Sequence, residues 1–167
     1  MAATSIACRC GPCSPITSAA PRWAWPAARW MPTLLRARPD KEAAMGRHSR
    51  ISESAADIDA AEALIAADAA EINHLGRLGQ PIALETRAKW RRNMSYAVGV
   101  WTRAVDRLVS SVGAHNLGED TPFQRAFRDI HAVGNHTGLV WDNHGPQWAR
   151  LRLGLQPLQV RAFPLPV

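Results

Sequence analysis

Ile51, Ile58, Ile65 and Ile72 recur every seven residues, and seven residues are close to two turns of an α-helix. The four therefore form one apolar stripe along a helix of roughly 50–75. Alanines at 55, at 61 or 63, and at 69 fill the same side, and their small side chains let a neighbouring helix come close. Glu53, Asp57, Asp59, Glu62, Asp68 and Glu71 are expected on the opposite, solvated side. Gly76 and Gly79 mark the end of this helix, and Pro81 prevents it from running on.

A second helix is predicted from about Leu84 to Val112. Trp90, Met94, Val98, Trp101, Val105, Leu108 and Val112 step by three and four, the signature of a core-facing stripe. Gly113 is a natural stop. Arg87, Lys89, Arg91 and Arg92 cluster near its start. Such a cluster reads as a solvated face or as salt bridges to an acidic neighbouring helix, with a phosphate or an acidic partner as the functional alternative. Thr121-Pro122 opens a third helix, with Thr as N-cap and Pro at the first helical position. Phe123, Phe127, Ile130, Gly134, Thr137 and Trp141 extend its stripe to an end between Asn143 and Pro146. A short segment from Trp148 to Leu155 is expected to pack beneath it. No stretch alternates with the period of a strand. The fold class is all-α, an antiparallel bundle of three long helices.

Composition sets the limits. The chain has 167 residues, 47% hydrophobic and 20% charged, ordinary for one soluble domain. No run of eighteen apolar residues occurs, so no membrane span is predicted and a cytoplasmic location is expected. The formal net charge of +6 suggests nucleic acid until it is mapped. Residues 1–45 hold six Lys+Arg and two Asp+Glu, or +4, while residues 46–167 hold fourteen and twelve, or +2. A segment that near neutrality argues against a phosphate-binding face, and no nucleic-acid partner is predicted.

Residues 1–48 read as an irregular or disordered leader, 49–155 as the helical domain and 156–167 as a loose tail. Prolines at 12, 15, 21, 26, 32 and 39 interrupt any periodic element in the leader, which makes Met45 an alternative start. Cys8, Cys10 and Cys13 have the look of a metal knuckle but lack a fourth ligand, so no metal is predicted.

The third helix carries the polar residues with the most chemical potential: Asp129, His131 and His136. Asp129 and His136 are seven apart and would share a helix face. His131 and His136 are five apart, about 140° around a helix, so they do not form a metal-binding pair, which needs a spacing of three or four. On the residues alone, His136 is either a packed, hydrogen-bonded side chain or a functional one.

The run Gln124-Arg125-x-x-Arg128-Asp129-x-His131-x-x-x-x-His136, followed by Trp141-Asp142 and Leu153-Gly154, resembles the last helices of the two-component flavin-dependent monooxygenases, which have the acyl-CoA dehydrogenase fold. Arg50-Ile51-x-Glu53-Ser54-Ala55-x-x-Ile58-Asp59 is similar to an earlier helix of that family. The resemblance covers about 49–155 and implies part of the C-terminal four-helix bundle. It implies reduced flavin, FMN or FAD, as cofactor, and hydroxylation of an aromatic substrate through a flavin C4a-hydroperoxide. It implies His136 as the catalytic residue at the flavin edge, with Arg128 and Asp129 beside it at the cofactor. A flavin reductase and a homo-oligomer, a tetramer in the family, are the partners it implies. Acyl-CoA dehydrogenases share the Arg-Asp pair, but they carry a catalytic Glu where this chain has Asn135-His136-Thr137-Gly138.

The family also has an N-terminal helical domain, a central β-domain and a first bundle helix, none of which has a counterpart here. The resemblance therefore implies a fragment, inactive alone. A non-catalytic helical oligomerisation module and a dehydrogenase-like fragment are the alternatives.

Overall fold

The computed structural model describes residues 43–79, 81–112, 117–118 and 121–157. They form four helices: α1 (Ala43–Leu78), α2 (Leu84–Val112), α3 (Pro122–Gly134) and α4 (Trp141–Arg152). There is no strand among the described residues. None of these helices is long and apolar enough to cross a membrane. The leader's cysteines and all six of its prolines lie outside the described residues, as does most of the tail. Helix α1 reaches back to Ala43, six residues into the segment read as leader.

Helix α1 has 36 residues, about 54 Å at the α-helical rise. Its buried positions are Ile51, Ser54, Ile58, Ala61, Ile65 and Asp68, a seam stepping by three and four that faces α2. Ile72 does not extend it and is 42% exposed. Ile72 lies five full turns from fully buried Ser54 and so at the same helical angle, and its exposure is not a matter of angle. The last buried position of the seam is an acid, seven residues after buried Ala61. Asp68, expected on the solvated side, is buried and accepts two hydrogen bonds from Asn93 Nδ2, at 3.0 and 2.9 Å. Burial pushes its carboxyl above the ordinary carboxylate range, while the Asn93 bond and the Lys89 charge pull the other way.

Helices α1 and α2 run antiparallel. At one end Ser54 Oγ donates to the Ala104 carbonyl at 3.2 Å, and Arg107 reaches Asp57 at 2.9 Å and Glu53 at 3.0 Å. At the other end Lys89 and Trp90 Nε1 both donate to Glu71. The core between them contains Trp101, Ile58, Ala97 and Ala104, each no more than 1% exposed. The alanines let the backbones approach, and Trp101 fills the space so made.

Helix α3 starts where Thr121 Oγ1 accepts a hydrogen bond from the Gln124 amide at 3.2 Å. It packs on the second half of α2 through Phe123, Ile130 and Gly134. A methyl group at Gly134 would meet Thr102 Oγ1 at 3.4 Å and Val98 Cγ1 at 3.8 Å, ordinary van der Waals contacts, so the helices cross closely here without requiring glycine. Helix α4 continues along the first half of α2. Tyr96 faces Trp141, Arg92 lies over Trp148 with 3.9 Å to the ring centroid, and Glu85 pairs with Arg152 at 3.1 Å. Helices α3 and α4 are thus the two halves of one interrupted strip laid antiparallel on α2.

The expected third helix breaks at 135–140, earlier than Asn143. Both the backbone N–H and the side-chain amide of Asn135 turn back to the His131 carbonyl, at 3.2 and 2.8 Å, and cap α3. Pro146, expected to end that helix, lies inside α4. As the sixth residue of α4 it lies past the first turn and forgoes the backbone hydrogen bond that an N–H there would have made to the Asp142 carbonyl.

Candidate functional site

The break between α3 and α4 carries His136. From its spacing His136 is expected on a helix, sharing a face with Asp129. Helix α3 instead ends at Gly134, so helical angles do not govern His136 and the two side chains are not aligned by one helix face. The turn has its own bonds. The His136 amide donates to the Val133 carbonyl at 3.0 Å, and the Leu139 amide donates to the His136 carbonyl at 2.7 Å. Leu139 packs against the main core, which anchors the far side of the turn while His136 stays exposed. The Gly138 amide donates to His136 Nδ1 at 3.2 Å. A neutral imidazole accepting at Nδ1 carries its proton on Nε2. The turn therefore displays an imidazole with one nitrogen occupied and a donor at the other.

Arg128 and Asp129 are exposed on α3. Asp129 is joined to Arg128 at 3.8 Å and to Arg125 at 3.6 Å, loose surface pairs of small energetic weight. His131 makes a cross-helix contact. Its Nε2 lies 2.9 Å from Asp106 Oδ1 on α2, and its ring packs on Phe127 with centroids 4.5 Å apart. His131 thus ties α3 to α2.

Sequence reasoning missed the opening of α4. Trp141 and Tyr96 are each about half exposed, with ring centroids 6.1 Å apart and planes at 61°. The indole of Trp141 lies directly on Gly145, where an added methyl would come within 2.6 Å of the ring. His144 is buried at 7% exposure. Burial, and then the charge of Arg91, push it below the ordinary histidine range, against a hydrogen bond to the Gly138 backbone that acts in the other direction. No spacing signal flags His144, because its role depends on a turn that the linear pattern does not show.

The basic cluster at the start of α2 is largely used inside the bundle. Lys89 holds Glu71, Arg92 bonds Asn93 and covers Trp148, and Arg91 lies by His144. Among the described residues no three of His, Cys, Asp and Glu come together to hold a metal.

The residues fit a flavin in one respect. A displayed imidazole donor stands at the junction that also exposes Trp141 and Tyr96, groups suited to the edge of a planar polar ring system.

Residues 32–141 match the family model of the acyl-CoA dehydrogenase C-terminal domain. The chain is 36% identical over 116 residues to the oxygenase component of an FADH(2)-dependent resorcinol hydroxylase from a Rhizobium species, covering 65% of this chain and 27% of that protein. It is 35% identical over 108 residues to the oxygenase component of p-hydroxyphenylacetate 3-hydroxylase from Acinetobacter baumannii, covering 65% and 26%. The crystal structure of 3-HSA hydroxylase from Rhodococcus sp. RHA1 superposes with a TM-score of 0.73 at 28% identity, covering 82% of this chain and 35% of that one. The chain thus spans about a quarter of the length of the curated relatives it matches.

Proposed function

The chain belongs to the acyl-CoA dehydrogenase C-terminal domain family, and on that premise we propose that it is the C-terminal helical part of a flavin-dependent aromatic hydroxylase, the oxygenase component of a two-component system. The observation that carries this reading is the exposed imidazole of His136, with Nδ1 occupied by the Gly138 amide. Its Nε2–H is positioned to donate a hydrogen bond to a reacting group and to pass a proton. A reduced flavin, when bound, supplies the activation of dioxygen and the oxygen transfer. This chain's residues would orient it and keep that edge dry. His136 donates at the edge, and Trp141 and Tyr96 cover it. Arg128 and Asp129, exposed and only loosely paired, serve its polar periphery. A flavin reductase is the partner that such a component needs, and we assign self-association to the same bundle.

Glutamate chemistry of the dehydrogenase kind is disfavoured, because the turn carries His136 and no carboxylate between Asn135 and Val140. The chain alone is expected to show no hydroxylase turnover, since about three quarters of each curated relative's length has no counterpart in it. The decisive experiment joins residues 43–167 to the preceding portion of the resorcinol hydroxylase oxygenase component and supplies reduced flavin. His136→Ala should then lower product formation about a hundredfold and divert oxygen to hydrogen peroxide, the typical loss for one positioned donor. Full hydroxylation by that variant would refute the assignment.

A further inference from the structure

The His136 turn is held from the start of α4, by two consecutive residues. Asn143 Nδ2 donates to the Thr137 carbonyl at 3.0 Å. That carbonyl belongs to the same planar peptide as the Gly138 N–H, which donates to His136 Nδ1 at 3.2 Å. Fixing one end of the peptide fixes the other, and a bond accepted at the oxygen strengthens the N–H as a donor. The ring of His144 hydrogen-bonds the backbone of Gly138 from the other side. His144 is 93% buried, and its Nε2 has no hydrogen-bond partner. The nitrogen that meets Gly138 is therefore Nδ1.

We propose that Asn143 and His144 are positioning residues for His136: by clamping the peptides on either side of Gly138 they present its amide to His136 Nδ1 and so hold the His136 proton on Nε2. The inference builds on the reading of His136 as a hydrogen-bond donor, but its test reads the state of the ring and not turnover. A turn without the clamp leaves the Gly138 amide free to rotate toward water, and His136 then samples both neutral tautomers like any exposed histidine. Asn143 is half-exposed and can be changed without opening the core. His144 is buried and supplies the second hold.

The test uses the full 167-residue chain, labelled with 15N, at a pH above the ordinary histidine range, with long-range proton–nitrogen correlation of the imidazoles. Exposed His74 is the internal reference. His136 should favour the Nε2–H form over Nδ1–H about fivefold more strongly than His74 does, the worth of one neutral hydrogen bond. Asn143→Ala should bring His136 to the ratio of His74. His144→Leu should do the same, and His144→Asn, which keeps a donor near Nδ1, should restore much of the bias. A His136 ratio equal to that of His74 in the unmodified chain would overturn the proposal. So would a ratio unmoved by Asn143→Ala, and that variant decides the matter if His144→Leu fails to fold. Catalytic failure of His136→Ala to show any defect would remove the function reading and leave this result standing.

Discussion

The two sides of α2 are built differently. Toward α1 the interface is long and closed: Ile58, Ala97 and Ala104 are within 1% of complete burial, with Trp101 beside them, and even the polar groups there, Ser54, Asp68 and Asn93, are buried and bonded across the helices. Toward α3 and α4 the cover is two short helices with an exposed turn between them, half-exposed aromatics and surface ion pairs. The first side has the features of a scaffold, with cost attached to any change. The second displays groups that water or a ligand can reach, and it tolerates change because exposed side chains give up little on removal. A site that must admit a cofactor belongs on the second side, held in register by the first.

The sharpest way to break this contrast compares two tryptophans on its opposite sides. Trp101→Ala should cost about 3–5 kcal/mol through the cavity it leaves, while Trp141→Ala should cost less than about 1 kcal/mol. Urea unfolding followed by far-ultraviolet circular dichroism would measure both, and equal midpoints would erase the distinction.

Next in size is Asn93→Ala, which leaves the buried Asp68 carboxylate without its donor. A loss of about 1–3 kcal/mol is expected, larger than for Asn143→Ala in the exposed turn. Thermal unfolding of the two variants side by side tests that order.

Asp68 also gives a pH signature. Its folded pKa lies above the value of 3.8 expected without burial. The folded state therefore binds more protons than the unfolded one between those two values. Stability falls as pH rises through that window, and the cost persists above it. Asp68→Asn keeps an acceptor for Asn93 and removes the charge. It should match the parent below pH 3.8 and gain on it as pH rises. Glu71 acts oppositely: the bonds from Lys89 and Trp90 lower its pKa, so its contribution is present at neutral pH and lost on acidification. A stability difference between Asp68→Asn and the parent that is flat with pH would show that Asp68 is not the source.

The smallest effect is expected from His131→Ala, which removes a partly exposed contact to Asp106. About 0–1 kcal/mol should be lost, with no change in turnover when the hydroxylase is reconstituted. A catalytic defect there, measured as product per oxygen consumed, would move the functional histidine from the turn to α3.

Periodicity alone determined the helical class, the bounds of α2 from Leu84 to Val112 and most of the seam of α1, because burial of a stripe on a 3.6-residue repeat leaves a direct trace in the order of apolar residues. The spaced Arg, Asp and His residues of 124–136 carried the family. Tertiary structure alone decided where the third strip breaks. The stripe through Phe127, Gly134 and Trp141 satisfies a single helix on paper, but Asn135 caps α3 and Asn143 and His144 draw the following peptides across to α4. It also decided that Asp68 faces inward: the position follows buried Ser54 and Ala61 at seven-residue spacing, and an acid is accepted there because Asn93 of the facing helix meets it. Hydrogen bonds between residues brought together by a turn have no period, and so His144, which shapes the site without belonging to any stripe, left no mark that the linear order could reveal.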